Sequence, residues 1–313
     1  MNLPFFQKLA DSRSVLIAGA GGGFDVFAGL PLYFWLKQQG KAVHLANWSF
    51  ADLSYCEDRP MPEIARVSPN TSGSTSYFPE LYLAQWLDSQ GYDSSVHAIQ
   101  PGGVRPVKSA YAWLAKSLAF DTIILVDGGT DILMRGDESG LGTPQEDIAS
   151  LAAAHSLPAE IRKFVVCLGL GVDTYHGVCH AHFLENAAAL SAKGAHFGTW
   201  SLLWEMEEAR KYAAAVEYAH ERMPRRSSIV NSSIVNAVKG LFGDVHASDR
   251  TRGSRLFINP LMSQYWAFDL DAVAKNNRYL DRIQTTDTYA ELTHRIANYH
   301  NQQKLRPWTD IPI

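Results

Sequence analysis

Apolar positions along the chain switch repeatedly between two periods. Short runs rich in β-branched residues at 14–18 (SVLIA), 42–46, 95–99, 122–126 (TIILV) and 163–168 (KFVVCL) predict strands. Between them the spacing becomes helical. Residues 24–38 predict a helix stopped by Gly40, and 79–89 a second. Val107, Ala110, Tyr111, Leu114 and Leu118 form the stripe of a helix packed on a sheet. Thr143-Pro-Gln-Glu146 opens another helix, running to about His155, with Thr143 as N-cap, proline in the first turn and Glu146 closing a capping box.

Beyond 170 the pattern turns helical. Leu202, Met206, Ala209, Ala213 and Val216 make one stripe. Val230, Ile234, Val238 and Leu241, ended by Gly240 and Gly243, make another. Thr288-Tyr-Ala-Glu291 is a second capping box. Strands alternating with helices predict a doubly wound, mostly parallel, Rossmann-like α/β sheet with a helical C-terminal elaboration, as one domain over 1–313. Its sheet core would span about 14–170, and the irregular stretch 47–76 is read as a lid or inserted arm.

Composition narrows the class. The 313 residues are 46% hydrophobic and 19% charged, with a formal net charge of −4. That balance gives no electrostatic reason to expect nucleic acid as a partner. Three scattered cysteines suit a reducing compartment. The opening MNLPFFQKLADSRS lacks the pattern of a secretory signal, so the expected location is the cytoplasm. The long apolar run 15–36 is interrupted by glycines, Pro31 and Asp25, which argues against a membrane span.

Three segments carry candidate chemistry. The first is Gly19-Ala-Gly21-Gly22-Gly23-Phe-Asp25, which follows the first strand. A dinucleotide fingerprint would need glycine where Phe24 stands and an acid where the second strand ends Leu45-Ala46-Asn47. A carboxylate in the first helical turn would also repel a docked phosphate. The loop is therefore read as holding a sugar hydroxyl, an amine or a cation, or as a tight turn capped by Asp25.

The second is Asp127-Gly128-Gly129-Thr130-Asp131 after TIILV, continued by Arg135-Gly-Asp137-Glu138. Ligands of open α/β sheets bind beyond the carboxyl ends of the strands, where this loop belongs. Neighbouring carboxylates suit general acid/base work or a hard divalent cation. LGLGVD places Asp173 beyond a third strand in the same way.

The third is His176-Gly-Val-Cys-His180-Ala-His182. The i, i+4 spacing would put His176 and His180 on one helix face, as in a zinc pair, although glycine at 177 breaks HExxH. Either histidine could instead serve catalysis, and an ordinary polar helix start accounts for both as well. The basic run 250–255 reads as a solvated loop. Asn259, after an expected strand at 255–258, is a pocket-lining candidate.

The segments GAGGGFDV, VDGGTD…RGDESGLGTPQED, LGLGVD and NPLMSQYWAFDL resemble the domain-of-unknown-function 1152 family of archaeal and bacterial proteins, from about Val15 to about Ile296. The resemblance implies a single Rossmann-like unit and brings no activity with it.

The residues themselves point to an enzyme acting on a nucleoside, sugar or amino-acid derivative by hydrolysis or group transfer. Asp127, Asp131, His176 and His180 are its expected catalytic groups. Gly19, Gly21, Gly22, Gly23, Asp25, Gly128, Gly129, Thr130, Asp173 and Asn259 are its expected ligand contacts. Asp127, Asp131 and Asp173 are candidate ligands for Mg²⁺, Mn²⁺, Ca²⁺ or Zn²⁺. The alternatives are a nucleotide- or NAD(P)-binding Rossmann protein and a non-catalytic small-molecule module; self-association is compatible with either.

Overall fold

The computed structural model describes residues 2–74, 76–246 and 256–311. The basic run 250–255 and the start of the strand expected at 255 lie outside the described residues. The strands in chain order are β1 Ser14–Gly19, β2 Ala42–Trp48, β3 Ile64–Val67, β4 Val96–Ile99, β5 Thr122–Asp127, β6 Arg162–Leu168, β7 His196–Ser201, β8 Gly243–Asp244, β9 Phe257–Ile258 and β10 Gln264–Asp269. Eight form one sheet in the order β3-β4-β2-β1-β5-β6-β10-β7, and β8 and β9 pair as a separate ribbon.

The five central strands, β4-β2-β1-β5-β6, are parallel. The flanking strands β3, β10 and β7 each run antiparallel to the neighbour they join. The class expected from the alternation of patterns is the class found. Every residue of β5 is buried, as a strand covered on both faces requires. Val15, Ile17, Val43, Leu45, Ile124 and Val126 face one apolar layer. Leu16, Ala18, Ala46, Ile123, Leu125 and Val165 face the other. This period of two places helices on both sides of a single sheet.

Several expected elements are corrected. The helix expected over 24–38 is two helices, Asp25–Ala28 and Leu30–Gln38. Pro31 lacks an N–H to bond back to Phe27, so the first helix cannot continue through it. Gly29 lies so close to β1 that a Cβ on it would meet Ile17 Cγ2 at 2.5 Å. The stretch read as a lid contains β3, an edge strand antiparallel to β4. The C-terminal third supplies two strands of the main sheet, β7 and β10, besides its helices.

Leu202 and Met206 precede the helix Glu207–Arg222 rather than belonging to it, and Leu241 lies past the end of Ile229–Val238. At Pro144–His155 the helix is as expected but its cap is not. Thr143 makes no side-chain cap, and Glu146 accepts the Tyr289 hydroxyl at 2.5 Å instead of closing a box. The second box is half realised: Thr288 accepts the Glu291 N–H, while Glu291 reaches Asp287 N rather than Thr288 N.

Candidate functional site: a buried carboxylate cluster at the switch point

β1 leads through β2 toward β4 on one side, while β5 leads to β6 on the other. The strand order therefore reverses between β1 and β5, where open α/β sheets form a crevice at their carboxyl edge. Parallel register aligns Gly19 with Asn47 on one side and with Val126 on the other, and Asp127 with Cys167. The glycine loop, the acidic loop and the turn after β6 thus leave the sheet side by side.

Five aspartates from four segments converge there. Asp25 opens a helix after β1 and remains partly exposed, while Asp127, Asp131, Asp147 and Asp173 are buried. One carboxylate oxygen from each of Asp25, Asp127 and Asp147 lies within 4.8 Å of the others. Asp25 Oδ2 accepts the Gly21 N–H at 2.6 Å, and Asp127 Oδ2 the Ile132 N–H at 3.2 Å. Asp131 Oδ2 takes both the N–H and the hydroxyl of Thr143, at 2.8 and 3.3 Å. Asp173 Oδ2 takes the Thr130 N–H at 2.7 Å. Asp147 Oδ1 is buried with no hydrogen-bond partner.

Among the described residues no Lys or Arg forms an ion pair with any of the five. Burial raises the pKa of Asp127, Asp147 and Asp173 well above the usual carboxylate range, and mutual repulsion adds to it. Asp25 is pushed up to about 8 by burial and by Asp131 and Glu146, against the pull of the Gly21 N–H. Asp131 is raised by burial too, while the Thr143 N–H and the charge of His176 hold it back.

The glycines serve this cluster. A Cβ on Gly21 would stand 2.7 Å from Asp25 Oδ2 and 3.0 Å from Asp147 Oδ1. One on Gly128 would meet Asp25 Oδ1 at 3.1 Å, and one on Gly142 would meet Asp131 Oδ2 at 2.3 Å. The glycine loops approach the carboxylates so closely that a Cβ on Gly21 or Gly142 would force a shift and one on Gly128 would be tight.

The glycine loop is closed inward. Ala20 N bonds Val126 O, Gly23 N bonds Trp48 O and Asp25 N bonds Gly22 O. Asn47 stands where a dinucleotide site would place an acid, and it clamps the loop: Oδ1 accepts the Val26 N–H, and Nδ2 donates to Gly23 O and to Glu80 Oε1. Trp48, Phe50 and Tyr77 crowd Gly22 and Gly23 from outside. Amides committed in this way are not available to a pyrophosphate.

The histidines depart from expectation. His176 ends the turn Val172–His176, Gly177 follows in a left-handed conformation, and His180 opens a separate helix, His180–Ala192. The glycine breaks the helical path, so the two do not share a helix face. His176 is exposed on the Asp131 side. His180 faces a cavity of about 420 Å³ lined also by Thr174, Tyr175, Phe257, Asn259 and Met262. Burial lowers its pKa. Asn259 caps the turn Pro260–Ser263 through Oδ1 and lines that cavity rather than the carboxylate cluster. The turn bearing Asp173 is wall to one and floor to the other.

Arg135-Gly-Asp137-Glu138 is a structural knot. Asp137 pairs with Arg135, Arg278 and Arg306, and buried Glu138 pairs with Arg306 and accepts from Asn186. The residue that sequence reasoning missed is Asp147. An acid in the first turn of a helix is ordinarily explained by the helix dipole, and only the neighbouring loops reveal its second use.

A mostly parallel, doubly wound sheet with a buried cluster of carboxylates at its switch point defines an α/β protein with a carboxylate-built candidate site. The chain belongs to the DUF1152 family, described as a protein of unknown function, whose model matches residues 65–302. Asp127, Asp131, Asp147 and Asp173 fall inside the matched span, and the glycine loop with Asp25 precedes it. No curated protein matches the chain. Among the described residues no helix is long and apolar enough to cross a membrane.

Proposed function

We propose that the chain is an enzyme that acts on a small polar metabolite, a nucleoside, sugar or amino-acid derivative, by carboxylate-based hydrolysis or group transfer. The observation that carries this reading is the burial of Asp127, Asp131, Asp147 and Asp173 together, unneutralised by any Lys or Arg among the described residues. Burying unpaired carboxylates opposes folding, and a fold retains such an arrangement where reactivity requires it. Asp131 is the acid/base group, because burial raises its pKa toward the working range of a proton donor and it sits on the side of exposed His176.

The cavity beside Asp173 supplies room for the body of a ligand, with His180 and Asn259 as polar contacts. An inward-closed glycine loop disfavours the NAD(P) alternative. Three free, buried cysteines suit work in a reducing cytoplasm.

The test is a thermal-shift screen of nucleosides, sugars and amino-acid derivatives, with turnover assays on the hits. A hit that is consumed by the wild type and not by Asp131→Asn supports the reading. Hits that bind equally to both and are never consumed would replace it with the non-catalytic module.

A further inference from the structure

We propose that Asp25, Asp127 and Asp147 together hold one hard divalent cation, Mg²⁺ or Mn²⁺, with Asp131 and Asp173 outside its coordination sphere. This deepens the reading of the cluster as the reactive site and rests on it.

Ligand oxygens about 2.1 Å from an octahedral ion lie roughly 3 to 4.2 Å from one another. The three carboxylates bring one oxygen each within 4.8 Å of the others, so a small side-chain rotation closes them onto that geometry. Proximity of acids is a weak sign alone. The second observation is Asp147, 1% exposed, whose Oδ1 has no hydrogen-bond partner and points at Gly21 and Asp25. A buried carboxylate oxygen without a donor is a costly group, and a cation in the gap supplies what it lacks.

The donor set selects the ion. All three donors are carboxylate oxygens, and among the described residues no cysteine or histidine joins them within 4.8 Å. Cys167 is buried within the sheet beside Asp127, His180 faces the cavity beyond the Asp173 turn, and His176 is exposed on the Asp131 side; none of them joins the three clustered oxygens. Oxygen-only sites take Mg²⁺, Mn²⁺ or Ca²⁺ in preference to Zn²⁺. Three unidentate carboxylates leave half of an octahedral sphere to water or substrate. Asp25, the partly exposed member, marks where they enter.

Asp131 and Asp173 differ from the three in what they hold. The first ties the start of the helix that carries Asp147 through Thr143, and the second ties the acidic loop through Thr130. They fix the frame around the three.

The experiment titrates MnCl₂ and MgCl₂ into EDTA-treated, dialysed full-length protein. Binding is read by calorimetry and by loss of the free Mn²⁺ electron paramagnetic resonance signal. One ion per chain is expected, with Mg²⁺ competing for the Mn²⁺ site and Zn²⁺ competing poorly. Asp147→Asn should weaken binding at least tenfold while keeping its circular dichroism, and Asp287→Asn, in an exposed ion pair with Arg105, should bind as the wild type does.

Should Asp147→Asn fail to fold, Asp25→Asn at the exposed edge gives the same reading. Absence of stoichiometric binding by the wild type, or undiminished binding by these variants, overturns the site. Metal binding without turnover of any metabolite would leave this site standing and remove the enzymatic reading. Turnover unaffected by EDTA would do the reverse.

Discussion

The oxygen of Asp173 that accepts the Thr130 N–H lies 2.5 Å from where a Cβ on Gly129 would stand. Gly129 and Asp173 come from different strand ends, and each fits only because the other is as it is. The same relation recurs between Gly142 and Asp131, where the glycine also has a φ of +72°.

Gly142→Ala should therefore destabilise the fold by about 2–4 kcal/mol, combining a left-handed alanine with overpacking. Gly240 has a φ of +79° with nothing within 4 Å of its Cβ position, so Gly240→Ala should lose only about 1–2 kcal/mol. Urea unfolding of both variants measures the difference; equal losses would mean that the carboxylate gives way freely.

Glu80 is fully buried behind the glycine loop, and burial raises its pKa from 4.5 to about 7. Between those values the folded state holds a proton that the unfolded state has released. Stability from this group is complete below about pH 4.5 and is lost as pH rises to about 7, some 3 kcal/mol as an order of magnitude. Glu80→Gln keeps the bond from Asn47 and should flatten that part of the curve, with the variant overtaking the wild type at pH 8. Parallel curves from pH 5 to 8 would show that Glu80 does not titrate in this range.

Asp127→Asn replaces a buried carboxyl group by an amide of the same shape. It should fold, melt no lower than the wild type at pH 8 in metal-free buffer, and lose turnover by at least ~100-fold once a substrate is found. A variant that unfolds would make Asp127 a structural residue.

Arg306 reaches back from the C-terminal segment to Asp137 and Glu138, and Glu138 is fully buried. Arg306→Met should cost about 2–3 kcal/mol by leaving Glu138 short of its counter-ion, even with Asn186 and backbone amides still donating. Chemical denaturation reads the loss directly, and a change under about 0.5 kcal/mol would show that these donors suffice.

The parallel core and the strand-end aspartates were readable because they follow simple periods: fully apolar runs, then glycine, then acid. What escaped the sequence is what depends on neighbours. β7 (HFGTWS) is buried at Phe197 alone, β10 (QYWAFD) mixes buried with partly exposed positions, and the two contain Gly, His and Gln, so no apolar run announces them. β3 has four residues in a stretch dense with proline, serine and aspartate. Pairing of β3 with β4, of β10 with β6 and of β7 with β10 makes strands of segments that their composition alone does not define. Thr143 looked like a cap because a free helix end needs one, whereas here the hydroxyl turns to Asp131. Asp147 and Asn47 take their importance entirely from loops distant in sequence.

The bond from Arg306 to Glu138 spans 168 positions of chain. Strand β10, which completes the sheet beside β6, also comes late in the sequence. While the chain is being made, the acidic loop therefore emerges long before the residues that fasten it. That fastening is complete only after nearly the whole polypeptide has left the ribosome, and a chain cut short before Arg306 carries the acidic loop without it.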